Sequence, residues 1–356
     1  VGFGCNVPAV MGARTLAKPR DRVLTVMMMP FMACSARFAI FTVFAAAFFP
    51  HSGPLVIFSL YLVGIVAAVL TGLLLRKTCF SGASAPLVME LPNYHRPQFM
   101  VLCRLMWRRA RSFVVRAGKV IIPVCVILGS LNAITVRGDW QHAGQRSSVL
   151  SVLGRAITPV LAPMGVQADN WPATVGLVTG VMAKEVVIGT LNSLYAQETD
   201  TSGDFNLWHS LESALLTIPH NLSRLGRALS NPIAASAADV SMGPQELRVM
   251  QQRFGTAAAA FSYLLFVLLY FPCVSTLAVM RREVGRRWAL ISVAWSFLLA
   301  YSTAVLSYQL YNLNEHPQQA LFTLTVTFVV LVASLFAWRL YVRRAELKGG
   351  LDVIGT

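Results

Sequence analysis

Charged residues are scarce in this chain, and their scarcity decides its class. Asp, Glu, Lys and Arg make up 13% of the 356 residues, whereas hydrophobic residues make up 56%. A soluble domain has about 25% charged and roughly 45–50% apolar residues. Together with a mean hydropathy of +0.60, this balance excludes an ordinary soluble domain. It predicts an all-α protein, a polytopic transmembrane helical bundle.

Acidic residues are the scarcer charge, with 15 Asp and Glu against 30 Lys and Arg and a formal net charge of +15. Of the 30 basic residues, 21 fall in four segments that lie between or beside apolar runs. This distribution follows the positive-inside rule, so we place these segments in the cytoplasm and predict no nucleic-acid partner. The four segments are Arg14–Arg22, Arg76–Lys119, Arg281–Arg287 and Arg339–Lys348.

Motifs of tight metal sites and of common enzymes are also missing. The absence of CxxC, HExxH and clustered histidines argues against a structural zinc site, and nothing resembles a P-loop or a nucleophile elbow. None of the six cysteines falls in a predicted outer loop, so a disulfide framework is not expected. A transport path, which must release its ion, fits scattered ligands better than a dense motif.

The chain has no initiating Met and no signal peptide, and it opens inside a pattern, VGFGCNVPAVMGARTL. We expect a fragment whose N-terminal part is missing. Pro8 lacks an amide proton and would clash with the carbonyl of Gly4, so that carbonyl is expected to bind another partner. The thiol of Cys5 and the side-chain amide of Asn6 lie beside it.

Seven apolar runs are each near the roughly 20 residues that cross about 30 Å of hydrocarbon. They are Val23–Phe49, Gly53–Leu75, Gly118–Val136, Trp171–Tyr195, Thr256–Met280, Trp288–Tyr311 and Ala320–Val342. Three runs lie between the second and third cytoplasmic segments, an odd number, so one of them is not a simple crossing. The best candidate is Trp171–Tyr195, which contains Lys184 and Glu185 in an apolar context that makes charge costly. We predict a broken or re-entrant helix there.

Cysteine recurs beside helix-breaking proline inside the apolar runs. Cys5, Cys34, Cys125 and Cys273 each lie within four residues of a proline, whereas Cys79 and Cys103 lie in the cytoplasmic segment. Each membrane cysteine alone is explained as a small hydrophobe, but their recurrence beside freed carbonyls favours a site. Thiolate, carboxylate and carbonyl oxygen together suit a divalent transition metal.

Charge pairing in the membrane leads to a further hypothesis. An unpaired Glu185 at low dielectric would become neutral and bind a cation poorly. Adjacent helical residues do not face each other, which disfavours Lys184 as its partner. Arg37, three residues after Cys34, is therefore predicted to pair with Glu185 when the path is empty. A static buried ion pair remains the alternative.

A basic amphipathic segment, Phe99–Arg116, contains Trp107 and Phe113. It fits a helix on anionic headgroups and equally a solvated connector, and the sequence leaves both readings open.

Several long motifs carry a resemblance to a known family. In chain order they are GFGCNVPAVMGARTL, RDRVLTVMMMPFMACSARFAIFTVFAAAFFP, MELPNYH, RAGKVIIPV, NWPATVGLVTGVMAKEVVIGTLNSLY and FGTAAAAFSYLLFVLLYFPC. They resemble the membrane domain of FeoB, the bacterial ferrous-iron transport protein B. The match covers most of the chain up to about Arg287.

The resemblance implies Fe(II) uptake across the bacterial cytoplasmic (inner) membrane through a path lined by cysteine. The implied metal residues are Cys5, Asn6, Cys34, Glu185 and Cys273, and the implied gating residues are Gly4, Pro8, Arg37 and Lys184. It also implies a GTPase domain, with GTP and Mg(II), and a helical domain that this chain lacks, and small Feo accessory proteins as possible partners.

The resemblance also suggests a division of the chain. Residues 1–16 end a first gate, 17–119 hold two spans and the basic segment, and 120–195 form a second gate. Residues 196–255 form an outer polar loop, and 256–356 hold the last spans and a basic tail. Two other classes stay open, a carrier of organic solutes with nucleoside-transporter-like gates and a membrane enzyme that uses Glu185 or a cysteine.

Overall fold

The computed structural model describes residues 3–16, 18–79, 98–108, 110–112, 115, 119, 123, 149–182, 184, 186–199, 244–313 and 317–347. All regular elements in these ranges are helical. The α-helices are α1 (Asn6–Gly12), α2 (Pro19–Met28), α3 (Ser35–Phe48), α4 (Gly53–Thr78), α5 (Val149–Leu161), α6 (Trp171–Met182), α7 (Val186–Thr199), α8 (Pro244–Phe254), α9 (Ala257–Leu269), α10 (Val274–Asn312) and α11 (Pro317–Leu347). Short 3-10 turns cover Ala13–Thr15, Met29–Phe31 and Ala162–Met164.

Four segments in the described ranges are long and apolar enough to cross a membrane. They are Pro19–Phe48, Gly53–Thr78, Ala257–Asn312 and Pro317–Trp338. The prediction of an all-α, multi-pass membrane bundle is confirmed.

The first crossing is divided near its middle. The run predicted as Val23–Phe49 forms α2, then a 3-10 turn over Met29–Phe31 and an extended link, before α3 begins at Ser35. Pro30 lies in the 3-10 turn, where its missing amide ends the helical hydrogen-bond pattern. The backbone therefore leaves the α-helix between Met28 and Ser35.

A second break separates α9 from α10 at residues 270–273, around Pro272. Gly285, with φ 84° and ψ 166°, then interrupts α10, as the basic turn predicted at Arg281–Arg287 requires. The second part of α10 runs back along α9: Ser262 Oγ donates to the Ala304 carbonyl at 2.8 Å, and the Phe266 and Phe297 rings lie 5.9 Å apart. The runs Thr256–Met280 and Trp288–Tyr311 are therefore antiparallel neighbours.

Helices α6 and α7 form a tight hairpin. A Cβ added at Gly176 would touch Leu191, and one at Gly180 would lie 2.6 Å from Val187. In a continuous helix Gly176 and Leu191 would be about 22 Å apart, so the chain reverses between Met182 and Val186. The predicted interruption of Trp171–Tyr195 is confirmed, and it is a reversal.

The arms of this hairpin are too short to cross a membrane singly. They have 12 and 14 residues, or about 18 and 21 Å at 1.5 Å per residue, against about 30 Å of hydrocarbon. The Tyr195 hydroxyl closes the open end by donating to Asn170 Oδ1 at 2.9 Å. The hairpin has the form of a re-entrant element.

The open end of the hairpin lies on the same side of the bundle as the end of α3. Arg253 on α8 forms an ion pair with Asp169, and Gln251 on α8 donates to the carbonyl of Ala47 near the end of α3. The basic segment Arg14–Arg22 lies at the other end of the α2–α3 crossing. The tip of the hairpin therefore enters the bundle from the side opposite that segment.

Candidate site at the helix breaks

Three cysteines occupy equivalent positions at the starts of helices, and two of them lie at the helix breaks. Cys5 precedes α1, Cys34 precedes α3 and Cys273 precedes α10, each as the N-cap residue in extended conformation. None of these cysteines forms a disulfide. Placing a cysteine outside the first helical turn keeps its thiol beside irregular backbone, where polar groups are not consumed by a helix.

A backbone hydrogen bond joins the segment before α1 to the break before α3. The carbonyl of Gly4, which Pro8 prevents from accepting a helical bond, accepts from the amide of Ser35 at 3.2 Å. The expected outside partner of that carbonyl is thus the first residue of α3. Asn6 is 94% buried, and its Oδ1 has no hydrogen-bond partner in the part of the chain described.

Arg37 joins the break before α3 to the break before α10. Its guanidinium donates to the carbonyls of Pro30 at 2.7 Å, Met32 at 3.0 Å and Tyr270 at 3.3 Å. Arg37 is fully buried, and its Nε has no partner among the described residues. A permanent charge is tolerated here because backbone carbonyls freed by the two breaks surround it.

Tyr270 connects this arrangement to the hairpin. Lys184, buried in the turn between α6 and α7, places its Nζ 4.8 Å from the centre of the Tyr270 ring. Such a distance is within the range of a cation–π contact. The Tyr270 hydroxyl also donates to the Leu177 carbonyl at 3.4 Å. The thiols of Cys34 and Cys273 lie close enough to interact electrostatically with both Arg37 and Tyr270.

The structure thus brings most of the predicted residues together. Those that meet at the breaks are Gly4, Cys5, Asn6, Pro8, Cys34, Arg37, Lys184 and Cys273. Cys79 lies at the far end of α4 and Cys103 on the exposed helix 99–108, as expected for residues outside a path. Glu185 and Cys125 lie outside the described residues, so the pairing of Arg37 with Glu185 stays a prediction.

Lys184 differs from its expected place in one respect. The four-residue spacing of Gly176, Gly180 and Lys184 predicts a common face, but α6 ends at Met182 and Lys184 lies in the turn. The argument that Lys184 and Glu185 diverge by a helical angle therefore does not apply. Within the described ranges, no group of three or more His, Cys, Asp or Glu side chains is close enough to hold a metal.

Two features escaped the sequence reasoning. The first is the role of Tyr270, which lies in an apolar run. The one sequence feature that could have pointed to it is its position just before Pro272 and Cys273. The other is an ion pair between Arg14, in the loop after α1, and Glu283, just before Gly285: Arg14 Nε donates to both carboxylate oxygens at 2.7 Å. Glu283 is the single acid among the basic residues of Arg281–Arg287.

Broken crossings around a re-entrant hairpin define a class, the multi-pass membrane proteins built on discontinuous helices, a construction shared by many transporters. Comparison with known sequences agrees. Residues 114–287 match the Gate family, described as "Nucleoside recognition", and residues 57–109 match the family "Ferrous iron transport protein B C terminus".

Curated relatives make the assignment specific. The chain is 54% identical over 342 residues to the Fe(2+) transporter FeoB of Legionella pneumophila, covering 93% of this chain and 46% of the relative. It is 47% identical over 369 residues to the Fe(2+) transporters FeoB of Salmonella paratyphi A and Salmonella typhimurium, covering 100% of this chain and 46% of each relative. No solved structure matches the chain. The chain belongs to the FeoB family, and it spans about half the length of the curated relatives it matches.

Proposed function

We propose that this chain forms part of a path for Fe(II) across a bacterial inner membrane. The observation that carries the proposal is that the start of α1 and the two helix breaks, each with a cysteine at the N-cap position, are linked through Ser35, Arg37 and Tyr270. Soft thiolates favour iron over magnesium or calcium. The unpartnered Oδ1 of buried Asn6 offers an oxygen ligand next to Cys5.

Separate ligands suit passage of an ion better than storage. The three cysteines belong to three different segments, so an ion can exchange one thiolate for the next as it moves. Cys5 is exposed, whereas Cys34 and Cys273 are half-buried, so solvent reaches Cys5 more easily than the other two. This arrangement agrees with the lack of a closed metal cluster among the described residues.

Arg37 and Lys184 act in this proposal as gating residues. Two buried cations oppose entry of a third, so the path is closed to Fe(II) while they keep their present contacts. Glu185, next to Lys184 at the tip of the hairpin, is the proposed counter-charge and iron ligand. The Arg37 Nε has no partner in the described structure, so it keeps one donor for this carboxylate.

Cysteine substitution tests the path. In the full-length protein we expect Cys5→Ser, Cys34→Ser and Cys273→Ser each to lower the initial rate of radiolabelled Fe(II) uptake, because a serine hydroxyl is a poor ligand for iron at neutral pH. Cys79→Ser is the matched control and should keep the parent rate. Equal uptake by all four variants would mean that the membrane cysteines only pack.

The carboxylate has its own test. Glu185→Gln keeps the shape of the side chain and removes its charge, so we expect uptake to fall while the protein still assembles in the membrane. Normal uptake by this variant would remove Glu185 from the path and leave the cysteine proposal standing.

Orientation is testable independently. We propose that the basic ends face the cytoplasm, so the open end of the hairpin and the segment after α7 lie outside. Single cysteines placed in residues 200–243, in a cysteine-depleted background, should react with an impermeant maleimide in intact spheroplasts. Labelling only after lysis would contradict this orientation.

GTP and Mg(II) enter the proposal only through parts of the full-length protein outside this chain, and small Feo accessory proteins are proposed partners of that whole. The description of the Gate family favours a second candidate, a carrier of nucleoside-like solutes. Competition separates the two: excess nucleoside should leave Fe(II) uptake unchanged if iron is the substrate. Nucleoside uptake that persists without divalent metal would support the second candidate.

A further inference from the structure

An apolar cleft opens on the surface of the bundle among α2, α4, α10 and α11. Its volume is about 560 Å³, within the usual range for ligand sites of about 300–1,000 Å³. Residues from four helices line it: Met27 of α2, Leu74 and Leu75 of α4, Arg287, Ile291, Ala294, Trp295 and Leu298 of α10, and Ser334, Ala337 and Trp338 of α11.

The length of the cleft matches one leaflet of a bilayer. Along α10 the lining runs from Arg287 to Leu298, eleven residues or about 16 Å. Half of the hydrocarbon thickness is about 15 Å. Leu75 and Trp338 lie at the ends of α4 and α11 that are followed by basic residues, so the cleft begins at the basic end of the bundle.

The walls are held in place by hydrogen bonds, whereas the opening is left clear by small side chains. Trp295 Nε1 donates to Thr71 Oγ1 at 3.0 Å, and Trp338 Nε1 donates to Thr78 Oγ1 at 3.4 Å. Ala294 and Ala337 are exposed at the opening. Indole groups that span an apolar wall and a polar edge are typical of the membrane interface.

The charge at one end of the cleft selects its occupant. Arg287 is the only charged residue in the lining, and it is exposed at the basic turn beside Arg286. An apolar slot one leaflet long with a guanidinium at its interfacial end complements an acyl chain attached to a phosphate headgroup. We propose that this cleft binds an anionic phospholipid of the inner leaflet, with its phosphate on Arg287 and one acyl chain between α10 and α11.

Two pairs of variants test the proposal. Ala337→Phe fills the cleft, and Val332→Phe, at an exposed position on the opposite face of α11, is its matched control. Arg287→Gln removes the headgroup contact, and Arg281→Gln removes an exposed charge from the same turn without touching the lining. Purified, delipidated protein is titrated with phosphatidylglycerol or phosphatidylcholine and examined by native mass spectrometry.

We expect Ala337→Phe to lose retention of both lipids and Val332→Phe to retain them. Arg287→Gln should lower the preference for phosphatidylglycerol over phosphatidylcholine by about fivefold, since one interfacial cation contributes about that factor, and Arg281→Gln should keep it. If Ala337→Phe fails to fold, Ala294→Phe fills the same cleft from α10. Equal lipid retention by the filled and control variants would overturn the proposal. A shift in oligomeric mass without lipid loss would also overturn it, because the occupant would then be a second copy.

Discussion

Helix α4 and the α2–α3 crossing lie side by side, but α4 is continuous and the crossing is interrupted. Helix α4 runs unbroken from Gly53 to Thr78, whereas the neighbouring crossing stops at Met28 and restarts at Ser35. The two approach closely at the break, since a Cβ on Gly64 would lie 2.7 Å from the Phe31 carbonyl. The continuous helix satisfies its own polar groups, and the broken one relies on Arg37.

The difference shows what a break in a membrane helix requires. In hydrocarbon each unsatisfied backbone group costs several kcal/mol, so irregular backbone needs a fixed partner. Arg37 supplies that partner to two breaks at once. Helices without breaks carry no such residue: α11 is largely exposed along Pro317–Trp338 and has only 6% of its most apolar window buried. Among the described residues, the buried cations Arg37 and Lys184 both lie at or beside an interrupted helix.

The largest expected effect comes from Arg37→Met, which removes the shared donor. Three carbonyls lose a charged partner, and we expect the free energy of unfolding to fall by about 3 kcal/mol or more. Denaturant unfolding in detergent measures it. Arg20→Met, at an exposed position before the break, is the control and should change little. Equal stability of both variants would contradict the role given to Arg37.

Gly180→Ala should have the next largest effect, because the side chains around Gly180 leave no room for a methyl group. The added Cβ would overlap the Tyr270 hydroxyl and lie 2.6 Å from Val187. We expect a loss of about 1–3 kcal/mol, read from thermal unfolding of the purified protein. Gly189→Ala on α7 meets nothing within 4 Å and should be neutral or stabilising by about 0.5–1 kcal/mol. A tolerated Gly180→Ala would mean that the hairpin is loosely packed against α9.

Tyr195→Phe tests the open end of the same hairpin. Tyr195 and Asn170 are both fully buried, so losing the hydroxyl leaves Asn170 Oδ1 unpaired at an expected cost of about 1–2 kcal/mol. Hydrogen exchange of α6 and α7 should rise with it. Tyr311→Phe, at an exposed position, serves as the control. Unchanged exchange would show that the hairpin does not depend on its closing bond.

The smallest effect is expected for Arg14→Gln. The ion pair with Glu283 ties the segment after α1 to the basic turn. The Glu283 side chain is only 4% exposed, but Arg14 is 58% exposed, so water and salt reach the pair and screen it. We expect a slight loss of thermal stability at low salt that disappears above physiological salt. A loss that persists at high salt would show a structural role beyond the charge pair.

Much of the candidate site was predictable because proline and glycine act locally. Pro30 and Pro272 each lie at an interruption, because a missing amide proton ends the helical hydrogen-bond pattern, whereas Pro8 lies in the first turn of α1, where its missing amide proton leaves the Gly4 carbonyl free. The positions of Cys5, Cys34 and Cys273 beside those prolines follow directly. The partners of Arg37 did not, because three carbonyls from two distant breaks have no signature in side-chain chemistry.

Composition and periodicity by themselves determined that this chain is a helical membrane bundle, because hydrocarbon accepts only helices that satisfy their own backbone and charge is tolerated only at their ends. They also predicted an interruption within Trp171–Tyr195, but not the breaks inside the runs Val23–Phe49 and Thr256–Met280. Only the tertiary structure decided that Trp171–Tyr195 doubles back, that Tyr270 receives its tip and that Arg37 binds two breaks together. Those outcomes depend on contacts between residues up to 233 positions apart, and hydrophobic patterning constrains which faces are buried without specifying which buried faces meet.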